Sequence, residues 1–281
     1  MRFRRGARLD SSQISDRRGR GGAVAVGGGG IIGLVVLVLS LVSGDGGGGL
    51  PANDTLGPLD SDLSARCRTG EDANSQEDCR IVGVVNSVQA YWGEELGGYR
   101  QARTVFFDGS VATGCGSASS AVGPFYCPSD EVVYIDLGFY DELRNRFSAQ
   151  GGPFAEAYVI AHEYGHHVES QQGALDRVRD GGTGPQSGGV RIELMADCLA
   201  GMWAQGAVSS GYIDELTGAD IADGLDAAAA VGDDRIQEQV QGQVNAEAWT
   251  HGSAEQRQRW FLSGYRSQGV ADCDTFAVPA V

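Results

Sequence analysis

The apolar run from Ala23 to Val42 constrains this chain more than any other feature, because a stretch of that kind cannot be left in water. It contains no charge, and Ser40 is its only polar side chain. Its length is enough for one helix across a bilayer at about 1.5 Å rise per residue. Seven arginines precede it (Arg2, Arg4, Arg5, Arg8, Arg17, Arg18 and Arg20), opposed only by Asp10 and Asp16. Such a flank predicts a cytoplasmic N-terminus and an exported body. No small-x-small cleavage pattern follows, only Ser43-Gly44-Asp45-Gly46, so a retained single-pass anchor is favoured over a cleaved signal. This reading divides the chain into a basic, disordered cytoplasmic tail (1–22), a transmembrane helix (23–42), a flexible linker (43–63) and an extracytoplasmic domain (64–281) large enough for one core.

Beyond the apolar run the chain is strongly acidic, and the net charge of the whole is −16. An acidic body repels phosphates, which argues against nucleic acid as a partner and against electrostatic docking on an anionic bilayer. All six cysteines (Cys67, Cys79, Cys115, Cys127, Cys198 and Cys273) lie in the predicted exported part. An even count in an exported domain predicts disulfides. Six cysteines allow 15 pairings; we favour Cys67–Cys79, Cys115–Cys127 and Cys198–Cys273. A cysteine zinc site is the weaker alternative, since no CxxC spacing occurs.

Hydrophobic periodicity predicts helices over 82–96, 153–172, 190–208, 217–231, 233–240 and 253–267, and short strands over 104–107 and 132–135. The longest of these predictions, 153–172, has Pro153 at its start and Gly173 after its end, the usual helix punctuation. The fold class is therefore α+β, mainly helical, with a small sheet.

Ala161-His162-Glu163-Tyr164-Gly165-His166-His167 lies within that helix. Residues i and i+4 share a helical face, so His162 and His166 can direct their rings at one ion, while Glu163 reaches a water on that ion as a general base. His167 points about 100° away. Two histidines do not complete a catalytic zinc site, which commonly takes three protein ligands and a water. With few histidines to spare, the third ligand is expected to be a carboxylate. Glu193, in an apolar helix, is the best candidate. Asp197, one turn later, suits a carboxylate that holds a ligand histidine by its other N–H. His251, ahead of the last helix, is a candidate donor to an oxyanion. Asp233 and Asp234 are expected to N-cap the next helix, with ligand binding as the alternative.

The chain resembles the bacterial neutral zinc metallopeptidase family, membrane-anchored proteins with an exported catalytic domain. The matching stretches are Thr113–Gly116, Gly123–Pro128, Val133–Asp136, the H-E-x-G-H block, Glu193–Cys198, Gly232–Asp234 and Thr250–Ser253. The resemblance implies a zincin-like fold and peptidase activity. The Glu193…Asp197 spacing also looks like the E-x-x-x-D arrangement of gluzincins. The leading expectation is a membrane-anchored zinc metallopeptidase acting on peptide or protein substrates. Its metal ligands are His162, His166 and Glu193, its base is Glu163, and its membrane contact is residues 23–42. The alternatives are a non-catalytic, metal-stabilised scaffold of the cell envelope and a zinc hydrolase of a non-peptide amide. Glu163 favours an enzyme, because a structural site has no use for a base there.

Overall fold

The computed structural model describes residues 1–19, 61–145, 151–178 and 182–281. Among these no helix is long and apolar enough to cross a membrane. The expected transmembrane helix (23–42) and most of the expected linker lie outside the described residues.

The described elements are β1 (Arg2–Phe3), β2 (Ile14–Asp16), α1 (Ser61–Arg66), α2 (Gly70–Ser75), α3 (Glu77–Glu95), β3 (Arg103–Phe106), β4 (Ser110–Thr113), β5 (Gly116–Ser119), β6 (Phe125–Cys127), β7 (Val132–Ile135), α4 (Gly138–Asn145), α5 (Pro153–Gln171), α6 (Gly188–Gly206), β8 (Ile213–Glu215), α7 (Gly218–Ala230), α8 (Asp233–Gln241) and α9 (Ala254–Tyr265). The architecture is α+β and mainly helical, as the periodicity predicts.

A four-stranded sheet has the order β2-β3-β7-β6, with the first three strands parallel and β6 antiparallel to β7. β7 (Val132, Val133, Tyr134, Ile135) is buried at every position, as expected of a strand covered on both faces. The hairpin β4–β5 and the pair β1–β8 are separate two-stranded sheets. The helical layer is centred on α6, which packs against α5 on one side and α9 on the other. Trp203 of α6 stacks on Phe154 of α5, and Phe261 of α9 meets Phe154 edge-on. Helix starts follow local chemistry. Pro153 opens α5, the Ser187 side chain accepts the Val190 N–H at the head of α6, and Ser253 with Gln256 forms a capping box on α9.

The three favoured disulfides are present. Cys67–Cys79 ties α2 and α3 to the segment before them, Cys115–Cys127 fastens β6 to the hairpin, and Cys198–Cys273 links α6 to the C-terminal segment.

The tail predicted over 1–22 needs correction. Residues 1–18 are not a separate disordered arm: β1 pairs with β8, and β2 is a strand of the main sheet. Phe3 and Ile14 are buried in the core. The folded domain thus includes the N-terminal segment, and α1 (Ser61–Arg66) is its first described element after residue 19. Strands of two and three residues are too short to show a period, and the arginines around them masked the two buried side chains.

Candidate metal centre and active site

The H-E-x-x-H segment lies in the middle of α5, with His162 and Glu163 buried. The two imidazoles stand one turn apart, ring centroids 4.8 Å from each other. Gly165 sits between them on the side facing α6. A Cβ there would come within 2.9 Å of the Ala196 carbonyl oxygen, so the glycine is what lets the two helices approach. That approach brings Glu193 of α6 to the histidines: Oε2 is 3.2 Å from His162 Nε2, and Oε1 is 3.7 Å from His166 Nε2. His162, His166 and Glu193 offer three ligand atoms all within 4.8 Å of one another.

The other ring nitrogens are engaged elsewhere. His162 Nδ1 lies 2.8 Å from Asp197 Oδ1, and His166 Nδ1 lies 2.7 Å from Glu169 Oε2. Such carboxylate partners take the Nδ1–H and leave the Nε2 lone pair free. Asp197 is itself held. Arg257 donates to it through Nε at 3.0 Å and Nη2 at 3.1 Å, and the Tyr158 hydroxyl donates at 2.5 Å. Arg257 Nη2 also donates to the Tyr158 oxygen at 3.1 Å. His162 is therefore backed by a closed set of buried groups drawn from α5, α6 and α9.

Electrostatics follow from this crowding. Burial works against the charged form of His162, but Asp197 and Glu193 outweigh it and push its pKa up to about 10. Burial also works against ionised Glu193, yet His251, His166 and His162 hold its carboxyl far below the usual range. Burial raises Glu163 despite the nearby charges of His162 and His166. It also pushes Glu169 up to about 7 in spite of His166. Four buried carboxylates (Glu163, Glu169, Glu193 and Asp197) thus crowd two imidazoles, and against them stands the guanidinium of Arg257. A dication held by the imidazoles would take the place of their protons among these carboxylates, and two nitrogens with a carboxylate oxygen are a common catalytic zinc set.

His251 is buried in the loop before α9, within electrostatic reach of Glu193. Its Nδ1 faces Thr250 Oγ1 at 3.0 Å and Asp233 Oδ1 at 3.3 Å. Asp233 also accepts the backbone N–H groups of Thr250, His251 and Gly252. Neither Asp233 nor Asp234 caps α8, in which both lie; the capping expected of them is made by Asp234, on the following helix. The residue preceding α8 is Gly232, which makes no side-chain cap bond. Asp233 clasps the His251 loop, and Asp234 accepts the N–H of Ala254, the first residue of α9. The unpaired N–H groups nearest these carboxylates belong to another segment, and those won. His167 points away from the cluster. Its ring nitrogens meet the Tyr126 hydroxyl at 3.0 Å and the Arg100 carbonyl at 2.7 Å.

Glu169, Tyr158 and Arg257 are partners of the cluster that the sequence motifs do not mark. Glu169 and Tyr158 had a usable signal, since they lie three residues after His166 and four before His162 on one helix. Arg257 had none; only the packing of α9 on α6 brings it to Asp197.

The sequence matches the family described as Putative neutral zinc metallopeptidase over residues 1–276. An uncharacterized protein of Mycobacterium tuberculosis is 52% identical over 223 residues, covering 77% of this chain and 76% of its own. The uncharacterized protein YpfJ of Escherichia coli K12 is 39% identical over 285 residues, covering 96% of this chain and 97% of its own. No solved structure matches the chain. With nearly the whole chain inside the match, the protein belongs to the Putative neutral zinc metallopeptidase family, whose cofactor is Zn2+.

Proposed function

We propose that this protein is a zinc metallopeptidase of zincin-like design that works outside the cytoplasm, in contact with a membrane through residues 23–42. His162, His166 and Glu193 hold the metal, Glu163 is the general base and acid, and the substrate is a peptide or protein. The observation that carries the reading is the convergence of His162 Nε2, His166 Nε2 and the Glu193 carboxylate, with Glu163 one residue on from the first ligand. The three disulfides support an oxidising compartment.

Zinc, when bound, supplies a Lewis acid that makes a water acidic enough to lose its proton near neutral pH and polarises a carbonyl. The chain's own groups do the rest. Glu163, buried beside the histidines, takes the proton from the attacking water and delivers it to the departing amine. The Asp197–Arg257–Tyr158 set fixes the His162 ring, and Glu169 fixes that of His166. His251, oriented by Asp233, donates a hydrogen bond to the oxyanion that develops on the scissile carbonyl. A metal-stabilised scaffold would not require a carboxylate at position 163.

The test compares the purified full chain with Glu163→Gln. Zinc content is measured alongside cleavage of an unfolded protein substrate. Wild type should cleave while the variant keeps its zinc and does not. Equal, negligible cleavage by both zinc-loaded forms would overturn the reading.

A further inference from the structure

We infer that residues 1–19 and the domain 61–281 lie in the same compartment, not on opposite sides of a membrane. The inference rests on how thoroughly the N-terminal segment is built into the fold. Ile14, Ser15 and Asp16 pair in parallel with Thr104, Val105 and Phe106 of β3. β2 is thus a strand of the same sheet as β3, β7 and β6. Further back, the Leu9 N–H donates to the Arg68 carbonyl, and the N–H groups of Gly70 and Glu71 donate to the carbonyls of Ala7 and Arg5. Asn86 on α3 both accepts from the Asp10 N–H and donates to the Asp10 carbonyl. Phe3 fills a hole over Gly83 of α3, where a Cβ would come within 2.5 Å of its ring. A bilayer between these partners would break every one of those contacts.

The charges tell the same story. Arg2, Arg5 and Arg18, three of the arginines that read as a cytoplasmic flank, pair with acidic side chains of the fold. Arg2 pairs with Asp214 at 2.8 Å and Arg5 with Glu71 at 3.2 Å. Arg4 donates to the carbonyls of Ile213 and Val208. They serve here as partners of the fold and so lose their value as a signal of orientation. The two ends also meet. Arg18, just before the chain leaves the described segment, lies 3.6 Å from Asp78. Arg66, just after the chain re-enters, lies 2.8 Å from the same carboxylate. One aspartate in α3 therefore meets an arginine from each of the two segments.

The experiment uses the full chain in sealed spheroplasts and a membrane-impermeant maleimide. The described cysteines are all in disulfides, so an introduced thiol reports by itself. Arg5→Cys marks the N-terminal segment, where the side chain is 83% exposed, and Val240→Cys marks the domain, where it is 55% exposed. The two variants are expected to react alike: both in sealed spheroplasts if the domain is exported, or both only after detergent if it is not. Reaction of one position in sealed spheroplasts and of the other only after detergent would overturn the inference. A second measurement guards against a labelling artefact. A protease-cleavable site inserted after Gly6 and one inserted after Gly242 should be cut from the same side. Cutting from opposite sides would overturn the inference equally.

Discussion

Glu169 holds the Nδ1 of His166 at 2.7 Å, one helical turn further along α5, and its second carboxylate oxygen is buried with no hydrogen-bond partner among the described residues. A carboxylate in that position sets the ring orientation and raises the basicity of the nitrogen on the other side. Glu169→Gln should therefore weaken zinc binding by about 10- to 100-fold. Competition with a chromophoric chelator measures this directly. Unchanged zinc affinity in a folded variant would remove Glu169 from the site.

Asp197 and Arg257 form a fully buried pair behind His162. Removing one partner of such a pair leaves the other charge unpaired, which costs about 3–5 kcal/mol. Arg257→Ala should lower thermal stability by that order, and a melting curve followed by circular dichroism reports it. Tyr158→Phe deletes one hydrogen bond to the same carboxylate and should cost only about 1–3 kcal/mol.

His251 lies beside the metal cluster without joining the three ligand atoms. His251→Ala should retain zinc and lower kcat by about 10²- to 10³-fold, the usual effect of losing one oxyanion donor. Zinc content and peptide cleavage measured on one preparation separate the two effects; loss of zinc would instead make His251 part of the metal's support.

Phe3 is buried against α3 in a segment that sequence alone assigned to a tail. Phe3→Ala should destabilise the protein by about 3–5 kcal/mol, as for other large core truncations. A free tail would leave the melting temperature untouched.

Asp16 gives a pH dependence. Burial raises its pKa, but the hydrogen bonds and charge of Arg18 outweigh burial and hold it below its ordinary 3.8. A group lowered by folding binds protons better in the unfolded chain. Its stabilisation is complete above the unfolded value of about 3.9 and is lost as the pH falls through the folded one. Asp16→Asn should be less stable than wild type at neutral pH, with the gap closing below about pH 4. Denaturant melts at several pH values test the sign.

Long periodic segments were legible in the residues alone. The helix predicted over 153–172 is Pro153–Gln171, the one over 190–208 is Gly188–Gly206, and the strand 132–135 stands as predicted. Their ends differ by a residue or two because caps, not periodicity, decide them. The spacing of His162, Glu163 and His166 carries its own geometry, since a helix puts i and i+4 on one face. Glu193 could be nominated from composition, as a carboxylate in an apolar helix.

Tertiary structure decided the rest. Whether Glu193 reaches the histidines depends on two helices meeting at Gly165, and Arg257 reaches Asp197 only because α9 packs on α6. The N-terminal strands could not be read at all, because two or three residues show no period and the strands exist only by pairing with β8 and β3. Local chemistry determines which residues can form a helix or share a face. Long-range packing determines which charges meet, and here it turned a basic tail into part of the domain.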